Sequence, residues 1–211
     1  MPVDKIYEAV LDYDDDEIAG LVTAELAAGT APQAILDDGL VAALDTVGAQ
    51  FSEGTLFVPE MLMAADTVKA GLDILRPILA ETGMKPIGTV VIGTVKGDLH
   101  DIGKNLVSMV LEGAGFRIVD LGTDVEPQKF VDAALENNAD IVALSALLTT
   151  SMAAMERAVG VVSAANETSN LNVRILVGGP PVTDDFAAKI GADGYGVDAP
   201  TAVGLARGFV Q

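Results

Sequence analysis

The sequence predicts an α/β protein in two parts: an N-terminal four-helix bundle, then a doubly wound domain on a five-stranded parallel sheet. Three observations carry this. Residues 1–82 read as helices only, their apolar residues recurring at helical spacing. From about residue 88, short β-branched runs alternate with helical stretches, the pattern of strand–helix–strand units. Between the two, Glu81-Thr82-Gly83-Met84-Lys85-Pro86 has the composition of a linker, placed at 83–87.

Each element has its own signal. Ile6, Val10 and Leu11 mark the first helix. Asp14, Asp15 and Asp16 supply a cap and the negative charge that a helix N-terminus favours. The second helix then runs through Ile18, Leu21, Val22 and Leu26 and stops before Gly29. Pro32 stands at a first helical position, where its missing N–H costs nothing, and opens a third helix from Ile35 to Phe51. Ser52-Glu53-Gly54 ends it. Pro59 opens the fourth, through Met61, Leu62, Ala65, Val68, Leu72, Leu75 and Leu79. Short connections between amphipathic helices make a bundle. Strands are read at 89–95, 117–121, 141–145, 174–177 and 195–197, with helices starting near Ile102, Glu126, Ser151, Thr183 and Ala199. Near-continuous apolar strands with helical crossovers imply a sheet covered on both faces. Five such units over 88–211 give a flavodoxin-like (Rossmann-type) domain, with strand order 2-1-3-4-5.

Composition narrows the function. The 211 residues carry 12 Lys and Arg against 31 Asp and Glu, so the formal charge is 12 − 31 = −19. No basic cluster is available to displace counterions from phosphates, so nucleic acid is not an expected partner. The acidity serves solubility, or steers the chain towards a basic partner protein. Charges and glycines interrupt every long apolar stretch, so no membrane span is expected. MPVDKIYEAV lacks the basic start and apolar middle of a secretory signal, which predicts a cytoplasmic protein. The absence of cysteine excludes disulfides, thiolate ligands and Cys nucleophiles.

The unusual residues of the second half all follow strands. In an open parallel sheet, ligands bind beyond the carboxyl ends of the strands, at the switch in strand order. Gly97 to Gly103 follow the first strand; Ser145, Leu147, Thr149 and Ser151 follow the third. Gly178-Gly179 follow the fourth and Asp198-Ala199 the fifth. Small residues and glycines there suit a long, narrow ligand. Taken singly, Gly178-Gly179 also reads as a tight turn, and Ser145 and Thr149 as helix caps. His100 is the only histidine of the chain. With no cysteine, it cannot build a protein-only zinc site, which needs three or more protein ligands. A metal on His100 must bring most of its own ligands, as a tetrapyrrole does. Asp98 is placed to hold the second ring nitrogen, which fixes the tautomer of a ligating imidazole. Asp101 is placed to cap the next helix, with Gly103 allowing tight packing at its start. Otherwise His100 is a loop imidazole paired with Asp98 or Asp101.

Three segments carry a family resemblance: Asp98-x-His100-x-x-Gly103, Ser145-x-Leu147 and Gly178-Gly179. Together with the full stretch Gly97-Asp98-Leu99-His100-Asp101-Ile102-Gly103-Lys104-Asn105, they resemble the signature of cobalamin-binding modules of the methionine-synthase type. Phe51-Ser52-Glu53-Gly54-Thr55-Leu56-Phe57-Val58-Pro59-Glu60 resembles the motif of the helical cap that precedes such modules. The nearest type is the corrinoid protein of methylamine, methanol, betaine or methoxyarene methyltransferase systems.

This resemblance implies a cobalamin cofactor, a cobalt corrinoid carried as methylcobalamin in the loaded state. It would bind base-off, with its nucleotide tail in the sheet crevice and His100 beneath the cobalt. Asp98 and Ser151 would complete a His-Asp-Ser relay. Gly97, Leu99, Asp101, Ile102 and Gly103 would surround the ligand, and Ser145, Leu147, Thr149, Gly178, Gly179 and Ala199 would contact the cofactor. Phe51 and Val58 would be cap contacts over the methyl group, with Met61 and Met63 either easing cap movement or packing the core. Pro180 departs from the small residue expected after the glycines. The implied cycle runs between Co(I) and methyl-Co(III), with a proton taken up by the His-Asp pair. The implied partners are a substrate:corrinoid methyltransferase, a methylcorrinoid:acceptor methyltransferase serving tetrahydrofolate or a thiol, and a reductive activation protein. The chain itself would be non-catalytic alone, or the corrinoid subunit of a cobalamin-dependent methyltransferase. The alternatives are a cobalamin-binding sensor, a B12 subunit of a radical mutase, or a phosphoacceptor receiver. The sensor lacks support from any basic region or tryptophan, and the helical cap is atypical of a mutase. Ser145 stands where a receiver needs an aspartate.

Overall fold

In the computed structural model, residues 3–81, 86–169 and 171–211 are described. Most of the predicted linker at 83–87 lies outside them. The chain divides into two units, Met1–Pro86 with Glu112–Gly115, and Ile87–Leu111 with Phe116–Gln211.

The first unit is helical. Helix α1 (Asp4–Leu11) buries Ile6, Ala9 and Val10. Helix α2 (Asp15–Ala27) starts at Asp14, whose carboxylate accepts the Glu17 N–H at 3.0 Å, as the sequence predicts. Gly29, at φ +89°, turns the chain out of it. Pro32 then opens α3 (Pro32–Ala34) at the expected first position. The third predicted helix is not uniform. Its middle, Ile35–Val41, is a π-helix, and α4 (Ala42–Ser52) continues from it. At the exit the Ala42 N–H donates to the Asp37 carbonyl, five residues back. Asp37-Asp38-Gly39 are weak α-formers, and Gly39 lets α1 approach: a Cβ there would sit 3.0 Å from Ile6 Cγ2. Helix α5 (Val58–Glu81) begins one residue before Pro59 and contains Pro77. Ile6, Ile18, Ile35, Leu40, Met61 and Leu75 are fully buried, each contributing about 1.5–3 kcal/mol of apolar burial. Met61 is therefore core, whereas Met63 is exposed.

The second unit is a parallel five-stranded sheet ordered β2-β1-β3-β4-β5. Its strands are β1 (Thr89–Thr94), β2 (Arg117–Asp120), β3 (Ile141–Ser145), β4 (Arg174–Gly178) and β5 (Gly194–Gly196). The predicted strands agree with these to within one residue at every end. Val95 lies outside β1 but bridges Val125. Helices α6 (Ile102–Gly113), α7 (Pro127–Asn137), α8 (Met152–Thr168), α9 (Asp184–Ile190) and α10 (Ala199–Val210) connect or follow the strands. A single turn of 3₁₀ helix, Thr149–Ser151, leads into α8. Every residue of β1 is buried, which is why that strand reads as one apolar run. Phe130, Val142, Leu144, Met155, Val159 and Ile175 belong to one core cluster. Thr183 and Asp198 cap α9 and α10, accepting the Phe186 and Thr201 N–H groups. Among the described residues, no helix is long and apolar enough to cross a membrane.

Candidate functional site

The chain turns back between β1 and β3, so the loops after these neighbouring strands open at the topological switch point. Thr94 stands opposite Ser145 at the strand ends, and the Val95 N–H donates to the Ser145 carbonyl at 3.0 Å. The loop after β1 turns at once. The Asp98 N–H donates to the Val95 carbonyl at 3.1 Å, and Gly97 takes φ +83°, a left-handed conformation that favours glycine.

Asp98 has no exposed surface. Its Oδ1 accepts the His100 N–H at 3.1 Å and stands 2.7 Å from His100 Nδ1. Oδ2 accepts the Leu147 N–H at 2.7 Å, the Leu148 N–H at 3.2 Å and the Ser151 hydroxyl at 2.8 Å. Burial raises the carboxyl pKa, but the hydrogen bonds from His100, Leu147 and Ser151 outweigh it and hold the group well below the usual carboxylate range. An ionised carboxylate only accepts, so in neutral His100 the proton is on Nδ1 and the lone pair on Nε2. That side chain is half exposed. The network joins four predicted residues, Asp98, His100, Ser151 and, through its N–H, Leu147, and adds the N–H of Leu148.

The other predicted residues make no side-chain hydrogen bond to this network. Leu99 and Ile102 flank His100 and are 73% and 75% exposed. Leu147 and Leu148, after β3, and Val197, after β5, are also exposed. Large apolar side chains on the strand-exit loops of one sheet mark a surface suited to an apolar ligand. The Asp101 carbonyl accepts the Asn105 N–H at 2.7 Å, the start of α6. Gly103 corrects the sequence reading: a Cβ there would meet nothing within 4 Å, so tight packing does not explain it. The first turn of α6 is instead left open. Ser145 is partly buried and Thr149 is exposed at the start of the 3₁₀ turn. Neither caps a helix through its side chain; Thr149 precedes α8 but no side-chain cap is made there.

Gly179, at φ +118°, has a need inside the chain. A Cβ there would lie 1.9 Å from the Ala146 carbonyl oxygen, so only glycine lets the β4 loop close on the β3 loop. A Cβ on Gly178 would lie 3.0 Å from the Gly196 carbonyl oxygen. The Val182 N–H donates to the Gly179 carbonyl at 2.9 Å across Pro180-Pro181, so Pro180 sits in an ordinary turn. Ala199 is buried at the first position of α10 and takes no part in the Asp98 network. Phe51 and Val58 belong to the helical unit, on the last turn of α4 and the first residue of α5.

Some contributors escape the sequence reading. Thr94 is fully buried, and its hydroxyl donates to the His100 carbonyl at 2.9 Å. A threonine at the carboxyl end of a largely apolar strand was the available signal. Lys104 is buried and donates to Asp120 and Asn105, tying α6 to the end of β2.

Residues 88–204 match the B12 binding domain, and residues 3–76 match a second domain of the same description. The chain belongs to the B12-binding family. It is 41% identical over 205 residues to trimethylamine corrinoid protein 1 of Methanosarcina mazei, covering 94% of this chain and 92% of that one. It is 44% identical over 177 residues to dimethylamine corrinoid protein 2 of Methanosarcina acetivorans, covering 83% and 81%. A cobalamin-binding protein of Desulfitobacterium hafniense aligns with a TM-score of 0.82 at 29% identity, covering 99% of this chain and 98% of the other. A chain of the methanol:cobalamin methyltransferase complex of Methanosarcina barkeri aligns with a TM-score of 0.83 at 29% identity, covering 99% and 79%.

The cofactor is therefore a cobalamin, and the residues present fit it. Among the described residues, no group of three or more His, Asp and Glu side chains could hold a metal ion. One tautomerically fixed imidazole amid apolar loop residues suits a metal that arrives inside its own ring. The open space at Gly103 leaves room beside it.

Proposed function

We propose that this chain is a methyl-carrying corrinoid protein that holds cobalamin base-off, with His100 as the lower axial ligand. The supporting observation is the clamp on its imidazole. Asp98 accepts from Nδ1 at 2.7 Å, while Ser151 and the Leu147 N–H hold the opposite oxygen. A carboxylate so placed orients the ring and makes Nε2 a better donor. When bound, cobalamin supplies a cobalt centre that accepts and donates a methyl group.

The protein binds, orients and manages a proton. Asp98, 2.7 Å from Nδ1, orients the ring so that Nε2 would face the metal. Ser151, whose hydroxyl also lies 2.7 Å from the Leu148 carbonyl, keeps the carboxylate in place. Ser145, Leu147, Thr149, Gly178 and Gly179 would line the pocket of the nucleotide tail, with Ala199 a further cofactor contact; Gly97, Leu99, Asp101, Ile102 and Gly103 would surround the lower ligand. The partners are a substrate:corrinoid methyltransferase, an acceptor methyltransferase serving tetrahydrofolate or a thiol, and a reductive activation protein. The names of the relatives make methylamines and methanol the donors to screen first.

The test is reconstitution of wild type and His100→Ala with cobalamin. Wild type should show the absorption of an imidazole-ligated, base-off cofactor. The variant should lose it and recover it with added imidazole. Identical spectra for the two proteins would remove His100 as the ligand.

A further inference from the structure

We infer that Asp124 is a positioning residue that fixes the His100 loop from the neighbouring strand's exit. This rests on reading His100 as the cobalt ligand. Asp124 lies between β2 and α7 and hydrogen-bonds to neither the imidazole nor Ser151. Its N–H donates to the Asp98 carbonyl at 3.0 Å. Its Oδ1 accepts the Gly97 N–H at 2.8 Å, and its Oδ2 accepts the Lys96 ammonium at 3.1 Å.

The surrounding bonds run the same way. Thr94 donates its N–H to the Gly122 carbonyl at 2.9 Å and accepts the Val125 N–H at 3.0 Å. Val95 bridges Val125. Five successive residues, Thr94 to Asp98, are thus tied to the 122–125 segment. Asp98 and Thr94 in turn hold His100, through its side chain and N–H and through its carbonyl.

Asp124 sits at φ +56°, a left-handed conformation that costs an L-residue energy and that glycine adopts freely. Glycine there would relieve the backbone but would accept no hydrogen bond. The carboxylate is therefore what the position uses. It does not cap α7, because the N-cap residue is Glu126. Nor is Asp124 the sole partner of Lys96, which also pairs with Glu126 at 3.1 Å. The bond to the Gly97 N–H is the contact that no neighbour replaces. Asparagine keeps that acceptor and tolerates positive φ.

Asp124→Asn, Asp124→Ala and Asp124→Gly test this in the full chain. Because His100 is the only histidine, ¹⁵N imidazole NMR reads it without ambiguity in the cofactor-free protein. Wild type and Asp124→Asn should show a single Nδ1–H tautomer. Asp124→Ala and Asp124→Gly should show averaged, broadened ring signals with unchanged far-ultraviolet circular dichroism. In the cobalamin-loaded proteins, the ratio of imidazole-bound to unbound cobalt should fall roughly tenfold in Ala and Gly, as expected for one lost hydrogen bond of ordinary strength. The glycine variant carries no left-handed strain and guards against loss of folding. A wild-type imidazole signal in Asp124→Gly would overturn the inference, leaving only a backbone role; so would unchanged signals in Asp124→Ala. Should wild-type cobalt carry no imidazole, the reading of His100 fails, and the cofactor-free ring signals still decide the role of Asp124.

Discussion

Asp98 has no contact with water, and a buried carboxylate left alone would cost several kcal/mol. Five hydrogen bonds meet it, so the charge is retained. Its folded pKa lies below the unfolded one, so its stabilisation is full above the ordinary carboxylate range and is lost as pH falls towards the folded value. Asp98→Asn should therefore destabilise the cofactor-free protein by about 1–3 kcal/mol near neutral pH. The gap to wild type should narrow as pH drops below about 4, measured by urea denaturation. A gap that stays constant with pH would contradict an ionised Asp98. At this scale the motif residues Asp98, His100 and Ser151 were legible. Thr94 and Asp124 were not, because Thr94 works through its side chain on a backbone carbonyl and Asp124 lies 24 positions beyond His100.

The elements separate two glycines that look alike in sequence. Gly179 is required by the fold: alanine there would meet the Ala146 carbonyl at 1.9 Å in a left-handed backbone. Gly179→Ala should cost about 3 kcal/mol or more in unfolding experiments without cofactor. Gly103 faces open space. Gly103→Ala should leave the cofactor-free protein as stable, or more stable by up to about 1 kcal/mol, yet weaken cobalamin binding in a titration. If the alanine left cofactor affinity unchanged, the open space would not serve the ligand. Strand and helix positions were readable because β1, β3 and β4 are buried on both faces and Pro32, Thr183 and Asp198 carry clear start signals. The π segment at Ile35–Val41 was not readable: hydrophobic spacing reports a face, not whether one turn holds an extra residue.

For the molecule as a whole, the change from helical to alternating pattern near residue 88 was enough to predict a helical part and a doubly wound sheet. The order β2-β1-β3-β4-β5 brings the His100 loop and the Asp98-binding backbone of Leu147 and Leu148 to one switch point. Family membership then supplies the cofactor, and the Asp98 clamp supports the proposal that His100 ligates its cobalt. The decisive measurement is electron paramagnetic resonance of the Co(II) cofactor in protein whose histidine alone is labelled with ¹⁵N. Imidazole coordination by His100 should turn the nitrogen superhyperfine pattern from a triplet into a doublet. A triplet that persists in the labelled protein would mean that the cofactor's own base still holds the cobalt.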